Sequence, residues 1–287
     1  MLTKVLEGKV ALVTGAGSPT GLGRAMSEAL VLAGARVAMV DVKGDWLEQS
    51  ANDVRELAGD DAVMAVEADV SDPASAEAAI ARVVDTWGLH ILVNNAGINP
   101  GTVGLGPNGP VDAWENSLAA WDKVISVNLS GPFYITKAAM GHFLEQGWGR
   151  IIGVTTSFET MIRKGNTPYG PAKAGHEALM SIIAKDLEGT GVTANVLVPG
   201  GPTNTAMLPD DGSFDREALI QPDVMRNPVV WLASDASDGV NGQRFVGYMW
   251  DDTLSLEETI EKAGAPVAWP NLRRPYVAPG IRGARTS

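Results

Sequence analysis

The stretch Val10-Ala11-Leu12-Val13-Thr14-Gly15-Ala16-Gly17-Ser18-Pro19-Thr20-Gly21-Leu22-Gly23 decides the fold. Its first five residues are apolar or β-branched, the composition of a strand buried on both faces. Gly15, Gly17, Gly21 and Gly23 then open the chain, and Leu22, Met26, Ala29, Leu30 and Ala33 fall on one stripe at helical spacing. Such a turn lets the backbone approach a pyrophosphate, and it aims the free N–H groups and positive dipole end of the helix at that charge. Glycines at a strand-to-helix turn also have a purely structural use. Their place after the first strand favours a dinucleotide-binding turn.

Outward from this turn, short apolar runs alternate with amphipathic stretches, the pattern of a parallel sheet covered by helices on both faces. Strands are expected at residues 10–14, 36–41, 63–68, 91–94, 151–155, 193–198 and 244–247. Ile80, Val83, Val84 and Trp87 mark one helix face, and residues 168–187 read as another helix. The expected fold class is α/β, a doubly wound, seven-stranded parallel sheet of Rossmann-like type with a C-terminal extension. No composition break or internal repeat divides residues 1–248, which read as one domain. Residues 99–111 and 202–222, rich in Gly and Pro, read as long functional loops. The extension, 249–287, carries Trp250, Trp269 and Tyr276 and is expected to pack on its own domain or on a neighbouring subunit. Ser255 followed by Glu258 has the form of a capping box for a helix over 255–263.

Composition removes several function classes. The 287 residues are 45% hydrophobic and 20% charged, which is ordinary for a folded protein. A formal charge of −12 provides no basic field for nucleic acid or an anionic membrane. With no cysteine, disulfides, thiolate catalysis and cysteine-ligated zinc are excluded, and a reducing compartment fits. His90, His142 and His176 lie far apart without HExxH spacing, so no metal site is expected. No apolar run has a membrane-spanning length, and the first one leads into the glycine turn rather than to a cleavage site. A cytoplasmic protein is expected.

Two further positions carry chemistry. Asp41 ends the second strand, twenty residues beyond Gly21, where a carboxylate can accept from ribose hydroxyls and repel a 2′-phosphate. The cofactor expected is therefore NAD in preference to NADP. Tyr169 and Lys173 are one helical turn apart and share a face, and a nearby ammonium favours the phenolate. That would bring the tyrosine towards proton exchange at neutral pH.

In combination with other motifs the chain resembles the short-chain dehydrogenase/reductase family from about residue 8 to 247. The resemblance rests on the glycine turn, Asp69-Val70, Asn94-Asn95-Ala96-Gly97, Asn128 within Val127-Asn128-Leu129, Tyr169 with Lys173, and Pro199-Gly200. It extends to Leu232-Ala233-Ser234-Asp235 and Asn241-Gly242-Gln243. It implies a hydride-transferring enzyme acting on an alcohol or ketone, with Tyr169 as acid/base and Lys173 holding the nicotinamide ribose and tuning Tyr169. It also implies that Asn128 anchors a water, that Asp69 and Val70 flank adenine, and that Asn95, Ala96 and Gly97 line the cofactor channel. Pro199 and Gly200 would back the nicotinamide, and Gly21, Leu22 and Gly23 would complete the pyrophosphate turn. A homodimer or homotetramer is implied as well.

The chain departs from the family pattern in three places. Pro19 and Thr20 lengthen the glycine turn, so its first contact comes from Gly15 or from Gly17. The family's catalytic serine corresponds to Thr156, thirteen residues before Tyr169, or to the adjacent Ser157 if the strand ends one residue later. The extension continues beyond the usual end.

The competing class is a nucleotide sensor or scaffold that kept the fold and lost the reaction; Asn128, Tyr169 and Lys173 together argue against it. Enoyl reduction is disfavoured by the four-residue Tyr–Lys spacing, and a zinc alcohol dehydrogenase by the absent cysteines. Trp114, Phe158, Met161 and Met207 are candidates either for pocket lining or for packing.

Overall fold

A computed structural model describes residues 4–107 and 109–269. The chain runs β1 (Val10–Thr14), α1 (Leu22–Leu32), β2 (Arg36–Asp41), α2 (Gly44–Ala58), β3 (Val63–Glu67), α3 (Pro73–Trp87) and β4 (Ile91–Asn94). It continues through α4 (Leu118–Ile125), α5 (Gly131–Gln146), β5 (Gly149–Val154), α6 (Phe158–Ile162), α7 (Tyr169–Asp186) and β6 (Val192–Val198). Last come α8 (Arg226–Ala233), β7 (Gln243–Val246), α9 (Leu256–Ala263) and β8 (Gly264–Pro266).

The sheet order is β3-β2-β1-β4-β5-β6-β7-β8. The first seven strands are parallel, as the apolar runs imply, and the extension adds β8 antiparallel to β7. β1, β4, β5 and β6 are buried along their whole length, because helices cover both faces. α1 packs against α2 and α8 on one face, and α3 against α5 on the other. Two apolar clusters result, one on each face, with Met26, Leu30 and Trp231 in the first and Ile80, Ile135 and Phe143 in the second.

Strand order reverses at β1, whose neighbours are β2 and β4. The loops leaving β1 and β4 therefore diverge to opposite faces and leave a crevice at the carboxyl ends of the strands, the general ligand position of open α/β sheets.

β5 begins at Gly149, two residues before the apolar pattern suggests, and ends at Val154. The masking residue is Arg150, 1% exposed, whose guanidinium pairs with Asp238, donates to the Ser234 carbonyl and lies 4.2 Å from the Trp148 ring centroid. A charged side chain with such partners can occupy a central strand.

The extension is built into the domain through residue 269. The expected capping box forms: Ser255 Oγ accepts the Glu258 N–H, and Glu258 Oε2 accepts the Ser255 N–H at 3.0 Å. Trp250 packs 5.2 Å from Trp231 and 6.4 Å from Phe245, centroid to centroid. Trp269 lies 5.9 Å from Phe158. Tyr276 lies outside the described residues.

Candidate active site

At the carboxyl ends of β1 and β4 the loops are tied together by Thr14 and Asn95. Thr14 Oγ1 accepts the N–H groups of Asn95 and Ala96 at 3.0 and 3.1 Å, and Asn95 Nδ2 donates to the carbonyls of Thr14 and Gly15 at 2.8 and 3.0 Å. Gly15 has φ +66°, and a Cβ there would lie 2.7 Å from Ala96 Cα; one on Gly23 would lie 2.4 Å from the Gly15 carbonyl oxygen. Both glycines are required by this close approach. α1 starts after Gly21 with no side-chain cap, leaving first-turn N–H groups open, and Ser18 Oγ is buried without a partner. An orphan hydroxyl beside an uncapped helix N-terminus is a donor set that fits a pyrophosphate.

Asp41 reaches back to this turn. Its Oδ2 accepts the Gly17 N–H at 2.9 Å and its Oδ1 the Lys43 N–H at 3.0 Å. Of the nearby cations, Arg24 is held by Glu28 and Asp53, each at 2.9 Å, and Lys43 Nζ lies 4.0 Å from the Trp46 ring centroid. Asp69 binds Ser71 through its N–H and hydroxyl, and Lys123 at 3.3 Å. Burial raises the Asp69 carboxyl, yet the Ser71 hydrogen bonds and the Lys123 charge outweigh it and hold the group below its usual range. Val70 is buried and close to Gly131.

The chemical end gathers residues from β4, β5, α7 and the turn before α5. Residues 126–130 form one π-helical turn, a feature frequent at functional sites. Within it Asn128 is fully buried and clasps Ile98, accepting its N–H at 2.8 Å and donating to its carbonyl at 2.9 Å. Lys173, 3% exposed, donates to the Val154 carbonyl at 2.8 Å. A Cβ on Gly97 would be 3.2 Å from Lys173 Nζ and 3.6 Å from Asn128 Oδ1, so these three positions converge.

Thr155 is buried, Thr156 is half-buried, and Ser157 caps α6, its Oγ accepting the Thr160 N–H at 3.2 Å. Tyr169 opens α7, with Lys173 one turn on. Burial pushes the Tyr169 hydroxyl up to about 12, with the Arg163 charge acting in the opposite direction. The expectation that a neighbouring ammonium lowers it does not hold for the free protein, because desolvation of the phenolate is the larger effect. Burial also brings Lys173 down to about 8. His176, fully buried with both ring nitrogens unpartnered, is held well below its usual range by burial and by the Lys173 charge.

Pro199 and Gly200 follow β6. The Pro199 carbonyl accepts the Tyr248 N–H at 3.0 Å, and Gly200, at φ +115°, lies against Tyr248 and Val246.

A family model described as short chain dehydrogenase matches residues 9–215. The chain belongs to the short-chain dehydrogenase family. It is 34% identical over 257 residues to a D-threitol dehydrogenase of Mycolicibacterium smegmatis, covering 84% of this chain and 92% of the relative. It is 34% identical over 277 residues to a hydroxyacyl-CoA dehydrogenase of Mycobacterium tuberculosis, covering 91% and 83%. A solved 3-ketoacyl-(acyl-carrier-protein) reductase from Brucella melitensis, complexed with NADH, superimposes with TM-score 0.71 at 28% identity, covering 82% and 95%. Like these relatives, this short-chain dehydrogenase is a hydride-transferring oxidoreductase.

In this short-chain dehydrogenase the candidate residues from Gly15 to Gly200 all lie at the carboxyl edge of the parallel strands or in the helices and turns that follow them. Trp114, by contrast, is 83% exposed, and Met161 is core. Phe158 faces the extension through Trp269, and Met207 lines a cavity of about 630 Å³ together with Thr20, Trp46, Asn204 and Arg216. Sequence reasoning passed over Ser18, Lys123, Glu177 and Arg244. Among the described residues no helix is long and apolar enough to cross a membrane, and no group of three His, Asp or Glu could hold a metal ion.

Proposed function

We propose that this protein is an NAD-dependent dehydrogenase that interconverts a secondary alcohol and its ketone, with Tyr169 as general acid/base. The observation that carries the reading is the convergence of Gly97, Asn128 and Lys173 beside the end of β5, one helical turn from Tyr169.

When bound, the nicotinamide ring supplies the hydride acceptor or donor. In the oxidative direction the Tyr169 phenolate takes the proton of the substrate hydroxyl; in reduction the phenol gives it back. The Lys173 ammonium favours the phenolate once both groups face the site. Thr156 provides the second hydroxyl to the substrate oxygen, because Ser157 Oγ is engaged by Thr160 twice, accepting its N–H at the α6 cap and sharing a hydrogen bond with its Oγ1 at 2.8 Å. Asn128 spends its side chain on Ile98, which leaves its carbonyl as the group to hold a water. The residue that would donate to that carbonyl in an α-helix is Pro132, which has no N–H.

Asp41 selects NAD. A 2′-phosphate at the ribose would bring close to two charges against its carboxylate, and both nearby cations are engaged elsewhere. Copies of the chain associate through the helices that leave Trp121, Phe133 and Ile182 exposed, giving a dimer or tetramer measurable by sedimentation.

The decisive assay offers NAD and NADP with a panel running from D-threitol and other polyols to hydroxyacyl-CoA thioesters. NAD reduction by wild type and its loss in Tyr169→Phe are expected. Cofactor binding without turnover on any alcohol or ketone would leave the sensor reading in its place.

A further inference from the structure

Three successive residues leaving β5 are each held by a different side chain. Lys173 donates to the Val154 carbonyl at 2.8 Å, Thr155 Oγ1 donates to Glu177 Oε2 at 2.8 Å, and Arg244 Nη2 donates to the Thr156 carbonyl at 2.7 Å. Glu177 Oε1 and Arg244 Nε lie 3.0 Å apart, an ion pair without the alignment of a hydrogen bond, and this joins the last two holds into one unit. The Glu177 side chain is 0% exposed and that of Arg244 15%. Buried ion pairs stabilise a fold little more than well-packed apolar side chains would, so stability alone does not account for this one.

From this arrangement we propose that Glu177 and Arg244 are positioning residues for the reaction. By taking the Thr155 hydroxyl inward and fixing the Thr156 carbonyl, the pair turns the Thr156 side chain out towards Tyr169. Successive side chains of extended backbone point to opposite sides, so the residue that faces Glu177 decides which one faces the substrate. A slip of one residue would place Thr155 in the site and bury Thr156. Arginine suits the task because one planar fork presents Nε to the carboxylate and Nη2 to the carbonyl together; lysine, with one ammonium, cannot span both in the same geometry.

The inference rests on the reading of Thr156 as the second substrate-facing hydroxyl, and the test separates the two. Arg244→Lys, Thr155→Val, Thr156→Ala and the double variant Thr156→Ala/Arg244→Lys are assayed as full-length enzyme, with the panel alcohol that wild type oxidises fastest. Thermal melting and NADH binding by tryptophan-to-NADH energy transfer are read on the same samples. Arg244→Lys keeps the charge opposite Glu177, and Thr155→Val keeps the shape, so a folded sample is available from at least one milder change. Arg244→Lys is expected to lower kcat roughly tenfold, with KM for alcohol and NADH affinity within about twofold of wild type. In the Thr156→Ala background the same change should cost almost nothing more, since the group it aims is gone. Wild-type kcat in both Arg244→Lys and Thr155→Val would overturn the proposal, as would an undiminished tenfold loss on top of Thr156→Ala. Full activity of Thr156→Ala would instead overturn the reading on which the proposal stands, and the proposal with it.

Discussion

Asp41 closes onto the glycine turn by accepting the Gly17 N–H at 2.9 Å, and a Cβ on Gly17 would lie 2.9 Å from Asp41 Cβ. The residue proposed to choose the cofactor is thus also tied to the glycine turn proposed to bind it. Wild type should show far higher kcat/KM with NAD than with NADP. Asp41→Ala should narrow the gap by weakening NAD and admitting NADP, with some loss of melting temperature because the Gly17 N–H loses its acceptor. Equal or better efficiency of wild type with NADP would reverse the assignment.

The two candidates for the substrate-facing hydroxyl, Thr156 and Ser157, can be separated by mutation. Thr156→Val should lose about a hundredfold or more in kcat, the scale of a lost hydrogen bond to a developing oxyanion. Ser157→Ala should keep most of its kcat and lose about 1 kcal/mol of stability with the α6 cap. Tyr169→Phe should lose about a hundredfold to ten-thousandfold while NADH binding stays near wild type. An active Thr156→Val beside a dead Ser157→Ala would show that the roles are exchanged.

Ionisation of Tyr169 is readable directly. Burial holds it up to about 12 in the free protein, so the tyrosinate absorbance of wild type and Tyr169→Phe should coincide up to pH 10. Adding NAD should make a difference band appear at lower pH, as its positive ring and the Lys173 charge favour the phenolate. A band at neutral pH without cofactor would contradict the structure.

Lys173 links the site to stability. Its ammonium titrates at about 8 in the fold against 10.5 when exposed, so between these values the unfolded chain holds a proton that the folded chain has released. Unfolding free energy therefore rises with pH across that window, while below about 8 the cost of burying the charge is present in full. The gap corresponds to about 3 kcal/mol. Denaturant unfolding of wild type and Lys173→Met should show wild type gaining about that much on the variant between pH 8 and 10.5; parallel curves would refute it.

The strands whose middle residues are all apolar were legible residue for residue: β1, β2 and β4 fall where their composition puts them. β5 was not, because Arg150 carries its charge into the core and only the fold supplies Asp238 and Trp148 around it. Tyr169 and Lys173 could be paired from their spacing, since one helix holds both. Glu177 and Arg244 could not. Sixty-seven positions separate them, and only the sheet order, which sets β7 two strands from β5 with α7 across them, brings their charges together. Asn128 was legible as a motif residue, but the π-helical turn that holds it was not.

The extension makes two separable contributions, and two truncations divide them. Ending the chain after Met249 removes Trp250 from Trp231 and Phe245, and it strips β8 from the edge of β7. Loss of a packed tryptophan costs about 3–5 kcal/mol, which in a domain of this size is a fall of about 10 °C in Tm. Ending it after Val267 keeps Trp250, α9 and β8 and removes Trp269, whose ring lies against Phe158, two residues past Thr156. Ala268 and Trp269 have φ of 57° and 56°, a left-handed backbone that costs free energy in residues other than glycine and persists where surrounding contacts enforce it. Because Phe158 lies two residues beyond Thr156, this contact is expected to bear on the proposed site as well as on the fold. The shorter truncation should therefore melt within a few degrees of wild type yet change KM or the order of preference across the alcohol panel. Melting scans and panel kinetics on both proteins decide it; unchanged kinetics after Val267 would assign Trp269 to packing alone.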